Sequence, residues 1–150
     1  EVDYTSRICW ATEAHLRKAG VSTVVISDSR YEDRWKRADA MGADCYLSLH
    51  MNGGGGDRAE VYHDYRTSAN RGVALALSIS GALDNRIPWS VQVKSAGADS
   101  RAIRCIRGVR ATGIVYEPAF LDGPRGGLLD YCKPIAKALS EGVIAWAWNK

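Results

Sequence analysis

His50 and Glu117 are the two residues of this chain whose types and settings could do chemistry together. His50 closes the run "DCYLSLH" (44–50), and behind it come Asn52 and four glycines at 53–56. Glu117 closes the run "GIVYE" (113–117). Both runs read as strands of a sheet core. In open α/β sheets, ligands bind beyond the carboxyl ends of the strands, so both side chains are expected at one edge of the sheet. If the two strands are near neighbours, an imidazole able to ligate a metal and a carboxylate able to move a proton share one cleft. A zinc hydrolase needs that pairing: ligands to hold the ion, and a free carboxylate to take a proton from the water it activates. The plainer reading is a histidine capped by backbone and a glutamate paired with an arginine. Spacing alone leaves both open.

The elements that would position these residues alternate between helix and strand. Ile8, Cys9, Thr12 and Leu16 recur at helical spacing over 2–19, and Gly20 supplies a left-handed stop. "STVVIS" (22–27) is β-branched and reads as a buried strand. "YEDRWKRADAMG" (31–42) reads as a short helix with Trp35, Ala38 and Met41 on one side. "AEVYHDY" (59–65) alternates as a strand does, and "SANRGVALALSISGALDN" (68–85) reads as a helix capped by Ser68. The stretch 86–110 has no clear pattern, and Pro88 interrupts it. The tail 126–150 reads as helix restarted near Pro134. This alternation predicts a single α/β domain over 1–150: a twisted, mostly parallel or mixed sheet with helices on both faces.

Composition narrows the partners. Of 150 residues, 46% are apolar and 25% charged, the balance of a globular protein. A net charge of +3 with no long basic run gives no support to nucleic-acid binding. No apolar run approaches the length of a membrane span. Cys9, Cys45, Cys105 and Cys132 are scattered, with no C-x-x-C pair, and read as free thiols of a chain folded in a reducing compartment. The chain opens on Glu1 rather than Met, within a helical pattern, so upstream residues are expected.

Taken together, "ADCYLSLHMNGG", "AEVYHDY" and "GIVYEPAFLDGP" resemble the zinc-dependent N-acetylmuramoyl-L-alanine amidases of the amidase-3 family. "VVISDSRYEDRWKRAD" resembles the family's segment before the histidine strand, and the likeness covers essentially the whole chain. Its anchors are S-x-H-x-N and E-P-x-F-L-D. The resemblance implies Zn²⁺ as cofactor, peptidoglycan as substrate, and action at the bacterial cell wall. The enzyme would be a phage lysin folded in the cytoplasm or a secreted autolysin. It also implies site residues. Glu1 and His50 match two of the family's three zinc ligands; the third, a histidine in a glycine-rich turn, should lie upstream of residue 1 with the strand that carries it. Glu117 matches the catalytic glutamate, as base to water and then acid to the departing amine. Ser48 and Asn52 match motif positions that support the histidine and its loop.

The remaining candidates have plainer readings. His15 lies at the edge of a helical apolar stripe, and His63 alternates with Val61 and Tyr65. Trp146 and Trp148 read as core or helix-end residues, and "RYEDRWKR" as a solvated helix face on which Arg30 and Arg34 could touch wall carboxylates. Two other functions remain from the sequence: a zinc peptidase of related fold, and a wall-binding module without catalysis.

Overall fold

The computed structural model of the chain describes residues 2–27, 30, 33–64, 69–97, 103–124 and 128–149. In chain order these form α1 (Val2–Lys18), α2 (Arg34–Ala40), β1 (Cys45–Leu49), β2 (Arg58–Asp64), α3 (Ala69–Asp84), β3 (Ser90–Ala96), α4 (Ile103–Ile106), β4 (Thr112–Glu117) and α5 (Leu128–Trp148). The four strands make one mixed sheet in the order β1-β4-β2-β3. β1 runs parallel to β4 and β2 parallel to β3, while β2 and β4 are antiparallel.

Strand alternation sends two kinds of residue to the two faces. Ala59, Val61, Ile114 and Tyr116 join the larger core with residues of α1, α3 and α5. On the opposite face, Tyr46, Val115 and Ala96 join a smaller core with Ala38 of α2 and Cys105 and Ile106 of α4. Helices therefore cover both faces, as expected. α5 lies so close to α3 that a Cβ on Gly142 would sit 2.7 Å from the Ile79 Cα. Ser78 Oγ donates to the Gly142 carbonyl at 2.8 Å across the same contact.

Four expectations need correction. Residues 22–27 form no ladder, and three of them are exposed; a β-branched run is a strand only where a partner offers hydrogen bonds, and β1 ends the described sheet on that side. β3 went unread because its residues are mostly half-buried or exposed and its polar side chains break the apolar signal. α5 runs unbroken through Pro134, since packing against α1 and α3 outweighs the one hydrogen bond that proline withholds. Met41 is 52% exposed and does not join Ala38 in the core, because α2 stops one residue earlier. Ser68 lies outside the described residues.

Gly142→Ala is expected to destabilise the fold by about 1–3 kcal/mol through overpacking against a backbone that cannot retreat. Urea unfolding checks this, and an unchanged midpoint would mean that the helices separate easily there.

Candidate functional site

The register brings the two sequence candidates together. Leu49 pairs with Tyr116 in the parallel β1–β4 ladder, and the His50 N–H donates to the Tyr116 carbonyl at 3.1 Å. His50 is thus the next position beside Glu117. On the other side of β4, Glu117 is paired with Glu60 of β2. His50, Glu117 and Glu60 form one row across three strands on one face, at a spacing of roughly 4.8 Å per strand. His63 belongs to the opposite face with Val61, and its ring Nδ1 lies 3.2 Å from the Asp64 carbonyl. His15 is exposed on α1. Trp146 is core at 6% exposure, whereas Trp148 is 81% exposed at the helix end.

His50 is held from behind. Its Nε2 lies 3.1 Å from Ser48 Oγ and 3.3 Å from Cys105 Sγ, both buried. Ser48 also bonds the Tyr46 phenol, whose pKa burial raises despite that contact. Ser48 and Cys105 together hold the imidazole by its Nε2 edge. His50, Cys105 and Glu117 line a cavity of about 880 Å³ that Thr5, Ser6 and Cys9 of α1 also border. None of the four cysteines is in a disulfide, and two of them, Cys105 and Cys132, are buried.

The glycine run is clamped rather than loose. Asn52 and Phe120 form a β-bridge, in which the Asn52 N–H donates to Ala119 and the Leu121 N–H to Asn52. The Gly54 and Gly55 N–H groups each donate to the Asp122 carboxylate at 3.0 Å, which holds its pKa below the ordinary range. These two glycines have φ of 100° and 69°, values that other residues rarely adopt. At Gly56 a Cβ would meet the Phe120 ring at 2.5 Å. The loop after His50 and the loop after Glu117 are one unit.

Sequence reasoning missed Glu60. It is 1% exposed, yet its carboxylate accepts from Asn52 Nδ2 at 2.8 Å, Arg58 Nε at 2.5 Å, Lys94 Nζ at 2.5 Å and the Tyr62 hydroxyl. Burial pushes its pKa up, but the bonds from Lys94, Tyr62 and Arg58 outweigh burial and leave it lowered. Burial and the Glu60 carboxylate push the Tyr62 phenol up. A signal was present: alternation in "AEVYHDY" puts Glu60 on the face opposite Ala59 and Val61. A carboxylate in mid-strand, flanked at two-residue spacing by Arg58 and Tyr62, invites a partner search.

Among the described residues no three metal-ligating side chains converge. Glu1 lies outside them. What is described fits one zinc ligand, His50, beside a cavity and a carboxylate in register. The fold and site define an α/β protein with a histidine and a carboxylate at adjacent strand ends, the groundwork of a hydrolase. The family model for N-acetylmuramoyl-L-alanine amidase matches residues 1–144, and the chain belongs to that family. No curated protein matches it.

Solved structures share the fold at low identity. An N-acetylmuramoyl-L-alanine amidase from Clostridium difficile 630 superposes with a TM-score of 0.86 at 19% identity, over 100% of this chain and 85% of that one. The amidase AmiC2 of Nostoc punctiforme gives 0.84 at 20% identity, over 99% and 84%. Cwp6 from Clostridium difficile gives 0.81 at 17% identity; 97% of this chain is covered but only 25% of Cwp6.

The depressed Glu60 pKa has a consequence for stability. A group whose folded pKa is lowered stabilises the fold above its unfolded pKa, about 4.3 for glutamate, and that contribution fades as pH falls through the folded value. Glu60→Gln is expected to lower stability at pH 7 and to flatten its pH dependence on the acid side. Urea midpoints from pH 7 down to 3 test this; parallel curves for the two proteins would refute it.

Proposed function

We propose that the chain hydrolyses the amide between N-acetylmuramic acid and L-alanine in peptidoglycan, at the bacterial cell wall, as a zinc enzyme. One observation carries the reading within the family: β1 and β4 are adjacent and parallel, so His50 and Glu117 stand side by side where both strands end. His50 and Glu1 would hold zinc, with a further donor from outside the described residues. A zinc ion held there would supply a Lewis acid for the scissile carbonyl and for the attacking water. Ser48 fixes the His50 ring through Nε2. Asn52 ties the following loop to Glu60, which keeps the histidine end of the site from drifting relative to β2. Glu117 takes a proton from the attacking water and returns it to the departing L-alanine nitrogen.

Two measurements test this. Digestion of purified peptidoglycan should expose new L-alanine amines and no new reducing sugar ends. New amines on other residues would indicate a peptidase, and release of nothing by a folded, zinc-loaded chain would indicate a binding module. Glu117→Gln keeps shape and removes the base, so turnover should fall by roughly 100-fold or more while bound zinc is retained.

Metal content after dialysis separates ligand from base. His50→Ala should lose zinc affinity where Glu117→Gln does not. Equal zinc in wild type and His50→Ala would put the metal elsewhere.

A further inference from the structure

We propose that Arg58 and Lys94, seated on the buried carboxylate of Glu60, form an anion subsite for a carboxylate of the peptide on the leaving side of the scissile amide. The inference rests on the amidase reading and deepens it. Both cations reach the same oxygen, Oε1 of Glu60, each at 2.5 Å. Their side chains are 33% and 35% exposed while Glu60 is 1% exposed, so the carboxylate lies beneath and the cations face outward. One cation balances Glu60. The second is surplus to it.

The two cations are also fixed in place. The Arg58 guanidinium stacks over the Phe120 ring at 4.9 Å, and the Lys94 ammonium stands 5.7 Å from the Tyr62 ring centroid. Phe120 belongs to the loop that follows Glu117, so the guanidinium is referenced to the candidate base. Arginine carries five N–H donors in a planar fork that suits a carboxylate, and Glu60 takes the one at Nε. A cation already immobilised loses little further entropy when an anion arrives.

Position assigns the ligand. The row runs His50, Glu117, Glu60, with the cavity on the His50 side and the cations on the Glu60 side. If the scissile carbonyl lies toward His50 and Glu117 protonates the departing nitrogen, the peptide extends over β2 and β3. A peptide carboxylate one or two residues beyond that nitrogen is roughly 4–7 Å from it, about one strand spacing. The competing role for the surplus charge is balance of Glu117, which faces Glu60 across the ladder. Charge balance would not distinguish a peptide acid from its amide.

Calorimetric titration of the wild-type chain with L-alanyl-glutamate and with its diamide reads the subsite without catalysis. The diacid is expected to bind about tenfold more tightly, consistent with one charge-assisted contact, and to lose that margin in 0.5 M salt. Lys94→Gln should cut the preference to about twofold or less, and Lys94→Arg should retain it. Equal binding of acid and amide, no measurable binding of either, or a preference that survives Lys94→Gln overturns the subsite. So does a Lys94→Gln variant altered only in melting temperature. Failure of the amidase reading would show instead as absent amine release from peptidoglycan, an assay that this titration does not use.

Discussion

A carboxylate at 1% exposure is tolerable only if donors replace the water it has lost, and at Glu60 that requirement organises three separate stretches of chain. Asn52 comes from the loop after β1, Arg58 and Tyr62 from the same strand as Glu60, and Lys94 from β3. An unpaired buried charge costs several kcal/mol, and removing one partner of a buried pair is far worse than never having built it. Each of these contacts is therefore tied to the others. The histidine loop cannot move away from β2 without stripping Glu60 of its Asn52 donor, and β3 cannot slip without removing Lys94. Rigidity at the site follows from the need to keep one anion satisfied.

The same face carries the chemistry because of strand parity. Tyr46, Ser48 and His50 share a face; so do Val115 and Glu117, and Glu60 and Tyr62. The ladders stack these sets into rows, apolar beneath α2 and α4 and polar at the edge where β1 and β4 end. The other face is given to Ala59, Val61, Ile114 and Tyr116 beneath α3 and its neighbours. One face buries enough apolar surface to hold the sheet, which frees the edge of the other for polar groups that contribute little to the core.

That division explains what could be read in the sequence. His50 and Glu117 were legible because each ends a run whose apolar character marks a sheet interior, and the carboxyl-end rule supplies the rest. Their adjacency was not legible, since no local pattern says that β4 pairs with β1 while β2 runs antiparallel on its far side. β3 failed for a related reason: a strand at the sheet edge with polar residues such as Gln92 and Lys94 lacks the periodic contrast that reveals buried strands. The 22–27 run failed in the opposite sense. Its residues have strand propensity, but propensity in a sheet is mostly a measure of cross-strand packing, and no ladder reaches them. Pro134 misled because local rules break a helix there, whereas burial along Ile135, Leu139 and Val143 carries it through.

The glycines at 53–56 show how a local reading can be right about the place and incomplete about the mechanism. A run of four glycines suggests freedom, yet two of them are there for positive φ and a third for contact with Phe120. Asp122, far away in sequence, converts the bare N–H groups of Gly54 and Gly55 into a clamp. The segment that carries Phe120 and Asp122 begins three residues after Glu117, so the clamp couples the two candidate catalytic strands through their loops as well as through their ladder. A loop built this way has little entropy left to lose on binding. Its glycines serve geometry, and the freedom they appear to offer is spent on folding.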